Sequence, residues 1–303
     1  MTKPKSSLRW FERIVLALVP GRERRRRFRR LLKDGRAVFA EHFVVPYWKF
    51  LALSRDRDRV STLVVGSSHA YYGYFAEEGE FNLADVSCDL RRSFELLSYW
   101  LSCGMKGLRR VVLFYDVFSP GNVLERSSES FRLVPYVRLY GFRTDKPRQD
   151  TGVGIPYAEL DGIFERGLRG YHPQIDDDYR GNFGYGFTPY RSPDEQLDRR
   201  VRGHLRLNSG GESAYVERIR ALLHGSGIGL TLVLPPLRED FRALLPDDRR
   251  SLLRGLDEAE VGREGLHILN LIDAPEFSRA DFNDMDHLNE RGARKLAALV
   301  RLR

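Results

Sequence analysis

Four short apolar runs constrain this chain most: STLVVG at 61–66, RVVLFY at 110–115, LTLVLP at 230–235 and HILNLI at 267–272. Continuous rather than alternating hydrophobicity is the pattern of strands buried on both faces, as in a parallel sheet. A weaker strand candidate spans Phe81 to Leu83. Helical periodicity fills the gaps. Phe94, Leu97 and Leu101 share a face before Gly104; Val216, Ile219 and Leu223 do so before Gly225; Ala293, Leu296, Ala297 and Val300 do so at the C-terminus. Strands alternating with helices predict an α/β fold, a three-layer doubly wound, mainly parallel sheet.

The rhythm fails between about 120 and 210, where Tyr, Arg, Gly, Asp and Pro dominate, as in GYHPQIDDDYRGNFGYGFTPYRSP. A loop that long inside a domain is usually functional or disordered, and its aromatic density argues for a folded insertion over the top of the sheet. The N-terminus differs again. Residues 1–36 hold 13 Lys and Arg against 3 acidic residues, so +10 of charge sits there and the other 267 residues carry about −2, within a total of +8. The division expected is a basic amphipathic arm over 1–45 and an α/β domain over 46–303 that carries the insertion.

A nearly neutral fold with no nucleic-acid-reading motif speaks against a nucleic-acid partner. The apolar run Ile14–Val19 is too short to span a bilayer and lacks a cleavage signal. Trp10, Phe11, Ile14, Leu18, Phe28, Leu31 and Leu32 instead suit anchors of a helix lying on an anionic membrane surface, with a solvated helix packed on the domain as the alternative. Two cysteines, Cys88 and Cys103, make no disulfide framework, and no zinc spacing is present; a cytoplasmic location, peripheral to the inner face of the membrane, is expected.

Ligands of open parallel sheets bind beyond the carboxyl ends of the strands. The first strand runs directly into Gly66-Ser67-Ser68-His69-Ala70, which puts the Ser68 hydroxyl at a helix N-terminus, beside N–H groups able to hold an oxyanion. A plain helix cap is the bland reading. After the last strand, Asp281-Phe282-Asn283-Asp284-Met285-Asp286-His287-Leu288-Asn289 precedes the C-terminal helix, with Asn289 as its N-cap. An aspartate three residues before a histidine on a turn can orient the imidazole towards a serine.

The GSSHA and DMDHLN blocks together resemble the first and last conserved blocks of the SGNH, or GDSL-type, hydrolase superfamily. FNLADVSCDL and VVLFYDVFSPG are similar in layout to its two middle blocks. The resemblance covers about residues 60–300 apart from the insertion and implies an SGNH/flavodoxin-like fold. It also implies Ser68 as nucleophile, His287 as general base and then acid, and Asp284 as orienter, with Asp286 and Asp281 as rivals. The family's second-block glycine falls near Ser87 or Cys88, and its third-block asparagine near Phe118 or Ser119. Candidate oxyanion donors are therefore the N–H groups of Ser68 and of Ser87 or Cys88, with Ser119 or Asn122 in place of the asparagine.

Other polar residues are candidates at the crevice. His69 reads as a cap or substrate contact more than as a base. Asp116 reads as a substrate contact or an ion-pair partner, and Arg238 as a holder of an anionic substrate group. His172 and His204 read as substrate contacts or surface residues, and Tyr71 and Tyr72 as packing or pocket-lining residues. The resemblance implies acyl ester chemistry, as an esterase or O-acyltransferase needing neither cofactor nor metal. A glycan, bearing acetyl groups on a bacterial polysaccharide, or a small acyl ester is the expected substrate. The alternatives are a non-catalytic polysaccharide-assembly or binding protein on the same scaffold and a lipid-active esterase.

Overall fold

The computed structural model describes residues 35–182, 196–247 and 265–302. In chain order its elements are α1 (Val44–Asp56), β1 (Thr62–Val65), α2 (Ser68–Gly73), β2 (Glu80–Asn82), α3 (Leu90–Ser102), β3 (Arg110–Phe114) and α4 (Leu133–Tyr140). There follow α5 (Tyr157–Gly170), α6 (Leu197–Leu207), α7 (Ala214–His224), β4 (Gly229–Leu234), α8 (Glu239–Ala243), β5 (Leu266–Asn270) and α9 (Glu290–Arg301). The five strands form one sheet in the order β2-β1-β3-β4-β5, all parallel. This is the doubly wound, flavodoxin-like order, with its reversal of direction between β1 and β3.

Period-two alternation sends Leu63, Val65, Val111, Leu113, Leu230 and Leu232 to one side, where α1, α3 and α7 cover them. Val64, Val112, Phe114 and Val233 face the other side, under α2 and α9. The three-layer α/β expectation therefore holds. Val216, Ile219 and Leu223 are buried on α7, and Ala293, Leu296, Ala297 and Val300 on α9, as their spacing predicts. On α3 the buried face is rotated: Leu96, Leu97 and Trp100 are buried, while Phe94 and Leu101 are only half-covered at its margin. The last strand departs too. β5 lies at the sheet edge and is only partly covered, so its apolar run does not mark a strand buried on both faces.

The arm's predicted anchors lie outside the described residues. Val38, Phe39, Phe43 and Val44 are described, and they pack on Phe131, Val134, Leu160, Ile163 and Phe164. The stretch expected as an arm through residue 45 thus ends in a packed segment beginning at Val38. The insertion supplies α4, α5 and α6, and α6 approaches the carboxyl ends of the strands at the short turn Ser119–Gly121 after β3. Among the described residues, no helix is long and apolar enough to cross a membrane.

Candidate active site

The turn from β1 into α2 carries the first group. Gly66 has φ +140°, in the region that glycine adopts freely, and a side chain there would meet the Phe114 Cβ at 3.0 Å. Ser67 caps α2, its Oγ accepting from the His69 N–H at 3.3 Å, which makes Ser68 the first helical residue. The same Ser67 hydroxyl donates to Asp116 Oδ2 at 2.5 Å. Asp116, at the end of β3, thereby holds the turn across the switch point, and Ser119 Oγ accepts its N–H at 2.8 Å.

The segment after β5 brings the second group. Asp284 Oδ1 accepts the N–H groups of Asp286 and His287 at 3.0 and 2.8 Å, winding the turn around its own carboxylate. Its Oδ2 lies 2.8 Å from His287 Nδ1, and His287 Nε2 lies 2.9 Å from Ser68 Oγ. A serine, an imidazole and a carboxylate are thus joined in series across 219 residues of sequence. The carboxylate is buried (1% exposed) and the imidazole nearly so, at 13%. Arg238 donates to the Asp284 carbonyl and pairs with Asp240. It braces this turn from behind and does not line the pocket, which corrects its reading as a substrate-anion holder.

Behind the triad is a second set of charges. His69 Nδ1 is 2.6 Å from Asp116 Oδ1, and its Nε2 is 3.6 Å from Asp286 Oδ2. Burial alone would pull the His69 imidazolium down, but the Asp116 and Asp286 carboxylates outweigh it and push its pKa up to about 10. His69 is therefore a cation at neutral pH. Its proton is held by Asp116, so it does not serve Ser68 as a base. Asp286 would be raised by burial, yet His287 and His69 hold it well below the usual carboxylate range. Arg200 and His204 reach the same carboxylate at 3.4 Å from α6. Burial pulls His204 down to about 4 against the pull of Asp286, leaving it neutral.

His69, Asp286 and His287 have ligand atoms within 4.8 Å of one another, close enough to share a cation. Both nitrogens of His287 already face Asp284 and Ser68, so a cation there would take the place of a triad contact. Asp281 is turned away to Lys295 and Arg291 and orients no histidine.

Compared with family models and with curated proteins, the sequence matches none.

The remaining candidates separate by position. A cavity of about 570 Å³ opens over Ser68 and His287, and His69, Ser87, Asn122 and His204 line it. Ser87 adopts φ +60°, the left-handed conformation that glycine takes most readily, and is one of the two positions, Ser87 or Cys88, near which the family resemblance places a glycine. Asn122 Nδ2 donates to the Ser87 carbonyl at 3.3 Å, holding that peptide in place. No described residue accepts a hydrogen bond from the N–H of Ser68 or of Ser87. Cys88 is excluded as a donor because its N–H is bonded to the Asp85 carbonyl; burial and Asp89 push its buried thiol up to about 12. Ser119 is also excluded, because it is buried and does not line the cavity; its hydroxyl accepts from the Asp116 N–H. Asp116 itself binds Ser67 and His69 rather than the pocket. Tyr72 packs edge-on against the His287 ring at 5.2 Å, while His172 is exposed and outside the cavity.

Sequence reasoning missed the α6 wall. Gln196, Arg199, Arg200, Gly203, Arg206 and Leu207 all line the cavity with His204. Their spacing of three, four and seven is a helical face, and that signal was readable in the insertion.

Proposed function

We propose that the protein carries out serine-dependent acyl ester chemistry, as an esterase or O-acyltransferase acting on acyl groups borne by a glycan. The observation that carries this reading is the serial contact Ser68–His287–Asp284 opening into a cavity. His287 accepts the Ser68 proton as Oγ attacks the acyl carbonyl. Asp284 holds the Nδ1–H tautomer and stabilises the imidazolium that forms. The N–H groups of Ser68 and Ser87, which no described residue accepts, are the donors for the oxyanion of the tetrahedral intermediate, a contribution worth about a hundred- to a thousandfold in rate per donor. His287 then protonates the leaving oxygen. A water or sugar hydroxyl then gives its proton to His287 as it attacks the Ser68 ester, and the second tetrahedral intermediate collapses by breaking the acyl–Oγ bond while His287 passes that proton to Ser68 Oγ, which releases the acid or new ester and restores the starting state.

The order of the blocks and the glycine-like conformation of Ser87 support kinship with the SGNH superfamily. Intact-mass labelling with a fluorophosphonate tests the nucleophile. Wild type is expected to gain one adduct, and Ser68→Ala and His287→Ala none. Asp284→Asn is expected to slow labelling by about four orders of magnitude, because the imidazole loses its orienting partner. A folded wild type that takes no adduct would favour the non-catalytic polysaccharide-binding alternative.

A further inference from the structure

The wall of the cavity contributed by α6 is cationic, and the triad does not use its charges. Arg199, Arg200 and Arg206 all line the cavity. Arg200 approaches the buried Asp286 at 3.4 Å. Arg199 and Arg206 are exposed, and no described residue gives either an ion-pair partner. Within the cavity Asp286 is the only described carboxylate, and it is already flanked by the His69 imidazolium. The wall therefore keeps a net positive charge, which a concave site concentrates.

Geometry extends the point. Arg199 and Arg206 are seven residues apart on one helix, so their backbones are separated by about 10 Å along the axis at 1.5 Å per residue. A single phosphate or carboxylate does not span that distance. An extended chain carrying anions at intervals does. Between them Gly203 faces the cavity, and a side chain built there would meet no atom within 4 Å, so the middle of the wall is open space. Ser87, Asn122 and Gln196 add hydrogen-bonding groups of the kind hydroxyls require. Phe118, the one phenylalanine, tyrosine or tryptophan among the described lining residues, packs edge-on to the His69 ring and tilted against the His204 ring.

We infer that the substrate is an acidic oligosaccharide whose successive carboxylates pair with Arg199, Arg200 and Arg206 along α6 while one of its hydroxyls or ester groups reaches Ser68. The inference deepens the acyl-transfer reading and rests on it for the role of Ser68 alone; the binding itself is measurable without turnover.

The experiment titrates Ser68→Ala protein calorimetrically with tetragalacturonate and, separately, with neutral galactotetraose. The uronate is expected to bind at least about tenfold more tightly, a factor ordinary for one charge-assisted contact, and to weaken as sodium chloride is raised. Arg199→Ala/Arg206→Ala, which removes two exposed side chains with no described partner, is expected to erase most of that preference. Gly203→Trp, which fills open space, is expected to block the uronate. Equal affinity for the two sugars, or an unchanged preference in the double arginine variant, overturns the inference. So does an eight-residue oligothymidylate that binds as tightly as the uronate and is lost in the same variant, because the wall would then be a general polyanion surface. Fluorophosphonate labelling separates the two claims. Uronate preference without labelling sinks the acyl-transfer reading and leaves the binding site, whereas labelling without preference does the reverse.

Discussion

At the scale of single residues, the site is a competition between two histidines beside one serine. His69 is adjacent to Ser68 in sequence, and His287 is far from it, yet His287 makes the contact. The reason is the helical turn: consecutive side chains at the start of α2 diverge, and His69 is drawn down to Asp116. That pairing has a pH signature. The His69 pKa is raised from 6.5 to about 10. Its stabilising contribution is complete below pH 6.5, declines as pH rises through the window up to about 10, and is gone above it. The groups facing it are Asp116, Asp286, His204 and His287. Wild type and His69→Gln compared by urea unfolding are therefore expected to differ most at about pH 6.5 and below, and to converge as pH rises towards about 10. A constant difference across that range would contradict the charged state assigned to His69.

At the scale of elements, the two turns that carry Ser68 and His287 are built by different means. The β1–α2 turn depends on a backbone conformation, the β5–α9 turn on a carboxylate that caps its own peptide groups. Gly66→Ala places a Cβ against Phe114 and the Phe114 carbonyl at 3.0 and 3.3 Å in a disfavoured conformation. It is expected to cost on the order of 1–3 kcal/mol in chemical denaturation and to impair Ser68 labelling, because strain there moves the Ser68 hydroxyl. Unchanged stability and labelling would show that the turn does not need glycine. The four strand runs were legible from their unbroken apolar character, although β5 is only partly covered, and the faces of α7 and α9 from the helical period that burial imposes. The face of α3 was legible only approximately, since Trp100 and the buried Arg92 take core positions that hydrophobic spacing alone does not select.

At the scale of the whole molecule, charge is divided. The first 36 residues carry +10, and the remainder is slightly acidic. The segment from Val38 onward is packed against residues of α4 and α5, which cover Val38 and Phe39. The proposal for the basic stretch is attachment to an anionic membrane surface. Flotation with phosphatidylserine vesicles is expected to carry the full chain and to leave behind a chain lacking residues 1–34; equal flotation of the two would end the proposal.

What the sequence determined by itself was periodic or local: apolar runs that must be buried become strands, and a glycine-serine turn or a DxxH turn takes a shape set by its own few residues. Which distant residues meet was decided by the tertiary structure alone. The strand order places the β1 and β3 ends side by side, with the β5–α9 turn folded back over them. Ser68, Asp116 and His287 are thereby brought together, Cys88 and Ser119 are turned inward to backbone partners, and the arginine face of α6 is laid across the opening. No period in the sequence encodes those contacts, because they depend on how whole elements pack and on which buried charge finds a partner.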